Sequence, residues 1–536
     1  MTSWNLADLW DAISDALSDS PALINGSDTR TWAEVEGNAN AIARYLCQVV
    51  PERQSTVAQY LYNSNEYLES IFAIFKAGLA PVNTNYRYQD EELIYLWNNA
   101  EVSAVIFHGT FSEKVEVIRD KVPSVKSFLW VDDGSGEKPD WAVNYHEIAR
   151  SDPSRFFPSW GRSGDDLYLL YTGGTTGMPK GVMWRQDDLF ANLNSSNFRK
   201  WTEDSTPGDI ASQLKERGTI HVPACPLMHG TGAFTSFACL MGGGTVVTLS
   251  SRTFNPAELL DTIDREGVQT LAIVGDAFAK PILAELDRNT TKWSLASLFA
   301  IVSSGVMWSE ETKTGLLKHK SSLLLADLFS SSEALGMGAS VSSGNKAQPT
   351  ATFTLGDRAV VIDEDNKVIE KGSNIVGRLA LRGRNPIGYY KDPEKSSMTF
   401  PVIDGVRFSV PGDYATVDND GTIHLLGRGS VCINTGGEKV FPEEVEEVIK
   451  KFPNVIDAIA VGIPDNRFGE VVSAVVQLKD NSLPVTPEDV IAFVREHLAA
   501  YKAPRTVLFV DSIERSPSGK VDYSRWKQVA ISTFVK

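Results

Sequence analysis

The chain reads as an α/β protein: a large N-terminal body of α/β subdomains, then a small β-rich subdomain, then a C-terminal α+β domain. Three observations carry this reading. Helical and strand-like segments alternate through the first half; beyond about residue 340 the texture turns to Gly, Asp and β-branched residues between turns; and the closing segment has helices and strands of its own. A length of 536 residues fits three or four compact units at about 100–200 residues each.

Taken in order, Leu6–Leu17, Thr31–Val49 and Asn65–Ala77 repeat apolar residues every three to four positions and are expected as helices, while Val102–Phe107 and Ser127–Val131 are short apolar runs expected as strands. A second set comes next, with Leu259–Arg265 as helix and Gln269–Val274, Leu298–Ser303 and Ser322–Phe329 as strands. Arg358–Asp363, Gly377–Arg382 and Gly421–Leu425 are expected as antiparallel strands, parted by turns such as Asp418-Asn419-Asp420-Gly421. At the end, Pro442–Lys451 and Pro487–Leu498 are expected as helices, and Val455–Val461 and Val471–Leu478 as strands. Flexible residues at Gly427-Arg428-Gly429-Ser430 mark a boundary, giving domains 1–429 and 430–536.

Between Arg217 and Arg252 no residue carries a formal charge, long enough to suggest a membrane span. His221-Val222-Pro223-Ala224-Cys225-Pro226 breaks it, however, and Gly242-Gly243-Gly244 breaks it a second time, leaving Thr231–Met241 as a short helix. Buried core is the better reading: strand, loop, helix, glycine turn, strand.

Composition excludes several functions. A net charge of −17, from 51 Lys plus Arg against 68 Asp plus Glu, disfavours nucleic acid. Cys47, Cys225, Cys239 and Cys432 form no CxxC pair, and the seven histidines no HExxH, so neither a disulfide framework nor a zinc site is expected. No basic n-region with an apolar run opens the chain, and a reducing cytoplasm is the expected location. The oligomeric state stays open, a homodimer included.

The most distinctive segment is Leu167-Tyr168-Leu169-Leu170-Tyr171-Thr172-Gly173-Gly174-Thr175-Thr176-Gly177-Met178-Pro179-Lys180-Gly181-Val182. An apolar strand runs into a loop with glycines, threonine hydroxyls and one Lys, the ingredients of a phosphate cradle. It is not a Walker A loop, because Lys180 follows Pro179 instead of heading a helix.

Tyr171–Gly181 resembles the signature loop of the adenylate-forming superfamily: acyl-CoA synthetases, firefly luciferase and peptide-synthetase adenylation domains. The resemblance recurs in order at Phe329-Ser330-Ser331-Ser332-Glu333, Gly412-Asp413-Tyr414, Gly427-Arg428 with Gly436-Gly437-Glu438-Lys439-Val440-Phe441-Pro442, and Arg515-Ser516-Pro517-Ser518-Gly519-Lys520. It implies a mobile C-terminal domain and three co-substrates or cofactors: ATP, Mg²⁺ and CoA. It also implies that Thr172, Gly173, Gly174, Thr175, Thr176, Gly177, Lys180, Gly305, Ser330, Ser331 and Ser332 bind the nucleotide, with Thr175 also catalytic. Glu333 would hold Mg²⁺, Asp413 the ribose hydroxyls, Arg428 the ribose or phosphate, and Phe329, in place of the usual Tyr, would stack on adenine. Lys520 would act in adenylation, reaching from a mobile turn, and Gly436, Gly437 and Glu438 would border the thiol tunnel. Outside these motifs Glu333 reads as a helix-starting carboxylate, Asp413 as part of a turn and Lys520 as a solvated lysine.

Departures from the family pattern are Ser430 at the hinge, Asn434 where some members carry Lys, and Ser330 and Ser332 in place of Gly and Thr. Between Glu216 and Glu258 there is no acidic residue to pair an amino acid's ammonium, which argues against the peptide-synthetase branch. An apolar acyl wall is expected from Met228, His229, Ala233, Phe234, Phe237, Val274, Ala277 and Phe278. His229 either orients the carboxylate or is a hydrogen-bonded core histidine. The wording of Tyr171–Gln186 and Gly427–Asn434 is most similar to actinobacterial acyl-CoA ligases of the fatty-acid and steroid-side-chain type. The expected activity is therefore ATP-dependent ligation of an apolar acid to CoA through acyl-AMP. The alternatives are a luciferase-like adenylating oxygenase and a non-catalytic acyl or nucleotide sensor.

Overall fold

A computed structural model describes residues 3–50, 52–174, 177–202, 204–306, 308–344, 346–435, 438–465, 467–480, 482–516 and 519–535. They fall into two compact units: Met1–Gly174 with Met178–Thr350 and Arg382–Ser409, and Ala351–Leu381 with Val410–Lys536.

The first unit holds two sheets. One is seven-stranded, in the order Val143–Asn144, Ser127–Val131, Ala104–His108, Thr56–Tyr60, Ala80–Asn83, Leu167–Gly174, Gly177–Arg185. Its strands Thr56–Tyr60, Ala80–Asn83 and Ala104–His108 are buried along their whole length. That is the state of parallel strands covered on both faces, and the polar residues they bury are bonded: Thr56 Oγ1 donates to the Ala100 carbonyl and Gln59 Nε2 to the Tyr67 carbonyl. The second sheet runs in the order Ala334–Ser342, Leu324–Ser331, Ala300–Ser304, Thr270–Ile273, Ile220–Pro223, Thr245–Thr248, Pro21–Asn25, Asp28–Thr31. Within this run all pairs are parallel except the first and the last, which are antiparallel. The helix Trp32–Val49 starts where predicted because Thr31 and Glu34 form a reciprocal capping box.

The second unit contains an antiparallel set, Thr352–Leu355, Thr422–Arg428, Asp413–Val417, Gly377–Arg382 and Ala359–Ile362. It also contains a five-stranded sheet built on the long pair Val455–Asp465 and Gly469–Leu478, with helices Pro442–Ile449, Pro487–His497 and Tyr523–Phe534.

Most expected elements form within a few residues of their predicted ends, and three points differ. The glycine-rich segment is more strand than loop: strand runs from Leu167 to Gly174 and again from Gly177 to Arg185, so Lys180 sits on a strand. Glu333 starts no helix; it lies in the turn between the antiparallel strands Leu324–Ser331 and Ala334–Ser342, the second of which the sequence reading did not assign. The compact units do not part at 429/430, since residues 351–381 and 410–429 group with the C-terminal segment. Two contacts tie residues 410–429 to the C-terminal segment, and strand pairing joins residues 351–381 to them. The rings of Tyr414 and Phe441 lie 5.5 Å apart, and the Glu443 carboxylate fills the place a Cβ on Gly427 would take, at a φ of 119° that favours glycine. Among the described residues no helix is long and apolar enough to cross a membrane.

Candidate active site

In open parallel sheets ligands bind beyond the carboxyl ends of the strands. Four adjacent parallel strands of the second sheet end at residues the sequence singled out. Ile220–Pro223 leads to Met228 and His229, Thr270–Ile273 to Val274, Ala300–Ser304 to Gly305, and Leu324–Ser331 to Glu333.

Around Glu333 the sequence places hydroxyls and carbonyls that shape a tight turn. Glu333 N donates to Ser331 Oγ (3.2 Å) and Gly336 N to Ser330 Oγ (3.1 Å). Trp184 Nε1 donates to the Ser332 carbonyl (2.9 Å) and Ser409 Oγ to the Glu333 carbonyl (2.7 Å). The Glu333 side chain is itself oriented, because Tyr389 Oη donates to its Oε1 at 2.9 Å. Lys180 Nζ bonds Asp392 Oδ2 at 2.6 Å and lies 5.8 Å from the centre of the Tyr389 ring. This hydrogen bond from Lys180 lowers the Asp392 pKa. Tyr389 thus touches both the predicted metal carboxylate and the predicted phosphate lysine. Tyr389 and Asp392 were missed in the sequence, where Asn385–Tyr390 carries no periodic or charged signal.

Two asparagines tie the first sheet to the loop before His229. Asn83 Nδ2 donates to the carbonyls of Tyr171 (2.8 Å) and Met228 (2.7 Å), while its Oδ1 accepts from Tyr171 N (2.6 Å). Asn63 Nδ2 donates to the Cys225 carbonyl (3.0 Å), and its Oδ1 accepts from Leu227 N (2.7 Å). His229, partly buried, is the N-cap residue of helix Gly230–Met241. Gly305 has φ 92°, and a Cβ there would meet Thr231 Oγ1 at 3.7 Å and Val274 Cγ1 at 3.9 Å. Thr231, which the sequence reading missed, therefore stands beside Gly305, predicted for the nucleotide, as Val274, predicted for the acyl wall, also does.

The predicted acyl wall is divided. Met228, Ala233, Phe234 and Phe237 belong to the core shared with Trp10, Phe75, Tyr168 and Trp184. Val274 and Phe278 belong to another, where Phe278 packs 4.8 Å from the Phe254 ring. Ala277 is exposed.

Thr172, Gly173 and Gly174 end their strand, and Thr175 and Thr176 lie outside the described residues. His221 is no ligand: its Nδ1 pairs with Thr270 Oγ1 (2.9 Å) and its Nε2 with Thr235 Oγ1 (3.1 Å), and burial holds its pKa down at about 4. Beneath the Phe329 segment, Asp327 is buried, and desolvation pushes its pKa up to about 7 against the opposing pull of Lys313.

Within the second unit, Asp413 is 6% exposed and opens its strand directly opposite Arg428 in the antiparallel register, so the two predicted nucleotide residues are cross-strand neighbours. Ser430 falls in the short turn Gly429–Val431. Glu438 is exposed at the start of strand Glu438–Val440, while Gly436 and Gly437 lie outside the described residues. Lys520 is exposed, on a turn closed by backbone hydrogen bonds between Ser516 and Lys520 (2.8 Å) and between Gly519 and Ser516 (2.7 Å).

Residues 11–390 match the family model described as AMP-binding enzyme, and residues 444–520 its C-terminal domain. A medium/long-chain-fatty-acid–CoA/3-oxocholest-4-en-26-oate–CoA ligase of Mycolicibacterium smegmatis is 39% identical over 97% of this chain and 95% of its own. A 3-oxocholest-4-en-26-oate–CoA ligase of Rhodococcus rhodochrous is 39% identical with the same coverage. In fold, an anthranilate CoA ligase in complex with anthranoyl-AMP superposes with a TM-score of 0.83 at 20% identity, covering 99% of this chain and 98% of that one.

Proposed function

The chain belongs to the AMP-binding enzyme family, and from that premise we propose that it activates a medium- or long-chain fatty acid, or a steroid bearing a carboxylated side chain. Its activity is that of an AMP-forming acid–CoA ligase. The observation that carries the choice of acid is 39% identity along 97% of the chain to ligases of that substrate class.

In the first half-reaction a carboxylate oxygen attacks the α-phosphorus of ATP, and the bond to the bridging oxygen breaks to release pyrophosphate. In the second the CoA thiol attacks the acyl carbonyl and AMP leaves. Neither step demands much acid–base chemistry; both need charge neutralised and atoms held in line. Glu333 suits Mg²⁺, being a hard oxygen donor, half-buried, with one oxygen fixed by Tyr389 and no partner on the other among the described residues. Mg²⁺ bound there would supply charge stabilisation to the phosphates. Lys180 adds a cation whose position Asp392 sets, and Asp413 suits a diol as a bidentate acceptor. Lys520 supplies positive charge to the α-phosphate in the first half-reaction only. The acyl wall carries no charge to match a second ionic group on the acid.

A pyrophosphate-release screen with and without CoA tests this, on acetate, benzoate, hexanoate, dodecanoate, hexadecanoate, 3-oxocholest-4-en-26-oate and free amino acids. Each buried methylene is worth about 0.8 kcal/mol, so efficiency should climb with tail length and exceed acetate by at least about tenfold. Preference for acetate, benzoate or an amino acid refutes the apolar-acid reading.

A further inference from the structure

The turn that bears Lys520 stands on Ser and Gly residues, which alone would leave the ammonium to wander. The peptide that carries it is nonetheless tied down. Arg515 Nε donates to Asp457 Oδ2 (2.5 Å) and Arg515 Nη2 to Asp457 Oδ1 (2.9 Å), the parallel fork that fixes a guanidinium in plane. The third arm, Nη1, donates to the Gly519 carbonyl (3.1 Å) on the far side of the turn. Ser516 Oγ accepts from Lys520 N at 3.0 Å. Downstream, Tyr523 Oη donates to Glu446 Oε1 (2.9 Å), which also accepts from Ala460 N (3.0 Å) and is buried. Trp526 Nε1 holds the Ile513 carbonyl at 3.0 Å. One guanidinium thus spans from the strand Val455–Asp465 to the peptide just before Lys520. The pair is largely shielded: 24% of the Arg515 side chain and 19% of Asp457 is exposed. Burial disfavours the Asp457 carboxylate, but the bonds from Arg515 outweigh it and its pKa is lowered.

We propose that Arg515 and Asp457 are positioning residues for Lys520, acting on acyl-adenylate formation and not on thioester formation. The proposal rests on the assignment of Lys520 to the first half-reaction. A pair that only stabilised the C-terminal unit would damage both half-reactions alike. A pair that aims the ammonium damages the first alone, because misplacing a reacting group by about 1 Å costs up to about a hundredfold in rate.

The experiment compares wild type, Lys520→Ala, Arg515→Met, Arg515→Lys, Asp457→Asn and the double variant Arg515→Met/Asp457→Asn in two assays on the full chain. One is ATP–pyrophosphate exchange with dodecanoate, or with the acid that ranks highest in the screen. The other is conversion of the matching synthetic acyl-adenylate and CoA to acyl-CoA. Arg515→Met and Asp457→Asn should each slow exchange by about 10–100-fold and leave thioester formation within about twofold. Arg515→Lys should fare little better than Arg515→Met, since an ammonium cannot span both carboxylate oxygens and a carbonyl. The double variant should be no worse than the single ones, as for two residues acting as a unit. Equal loss in both assays, in the mild Asp457→Asn as well as in Arg515→Met, overturns the proposal in favour of a structural role. Exchange unchanged in the Arg515 and Asp457 variants while Lys520→Ala is inactive overturns it and leaves the Lys520 assignment standing. Exchange retained by Lys520→Ala removes that assignment and the proposal with it.

Discussion

Replacing His221 by glutamine should flatten the acid side of the stability profile. His221 is buried in the strand Ile220–Pro223, with both ring nitrogens engaged by Thr270 and Thr235, and burial depresses its pKa from 6.5 to about 4. Between those values the folded protein keeps the ring neutral while the unfolded chain protonates it. The unfolded state then binds more protons, so stability rises with pH: the contribution is full above about 6.5 and is lost as pH falls towards 4. A depression of this size is worth about 3 kcal/mol, on the order of 5 °C in the unfolding midpoint of a unit this large. His108, also depressed to about 4 by burial, adds a similar slope to the wild type, but the difference between wild type and variant isolates His221. Thermal midpoints should be measured from pH 4.5 to 7.5 at constant ionic strength. At pH 7.5 the variant should melt lower, because Thr270 and Thr235 lose a matched partner, and the gap should shrink steadily on acidification. A gap that stays constant across the range would refute the reasoning.

Tyr389→Phe removes the hydrogen bond to the Glu333 carboxylate. Bonds to charged groups are worth about 1.5–3 kcal/mol, so kcat/KM for MgATP should fall by up to about 10–100-fold and the thermal midpoint by at most about 5 °C; unaltered kinetics would show that Tyr389 does not orient Glu333. Asn83→Ala strips partners from Tyr171 N, the Tyr171 carbonyl and the Met228 carbonyl, which should destabilise by about 2–4 kcal/mol and raise KM for both ATP and the acid. Scanning calorimetry and initial rates check this, and a midpoint within a degree of wild type would contradict it.

The fold was legible wherever burial imposes a period or an unbroken apolar run. Ser127–Val131 has its predicted ends because both faces of the strand must be apolar, and Trp32–Val49 lies within a residue of its predicted start because its apolar residues recur every three to four positions. The site was legible as order along the chain and not as geometry. Tyr389 and Glu333 are 56 residues apart, and Arg515 and Asp457 are 58. No local pattern links a tyrosine in Pro386-Ile387-Gly388-Tyr389-Tyr390 to a distant carboxylate. The same limit hid Arg515: Ser and Gly announce a loop, while the guanidinium that bonds the Gly519 carbonyl has its partner Asp457 on another strand. The glycine-rich segment shows the converse. Its glycines suggested a long loop, yet Tyr168–Tyr171 and Val182–Arg185 are strong strand formers, and strand runs over Leu167–Gly174 and Gly177–Arg185.

The division of the acyl wall bears on how tail length is sensed. Phe237 lies 5.8 Å from the Trp10 ring, 6.3 Å from Phe75 and 5.7 Å from Tyr168, and Phe278 packs on Phe254 in the other core. Shortening either ring opens a void among fixed neighbours, which lowers stability without lengthening a binding site. Only residues with one side on a core and the other towards the strand ends couple to an acyl chain. Among those predicted, Val274 and Met228 lie within a few residues of a carboxyl strand end, and a Cβ added at Gly305 would come within 4 Å of both Thr231 and Val274. A part in sensing the tail is therefore proposed for Met228 and Val274 and not for Phe237 or Phe278, whose rings are packed among other rings of their cores.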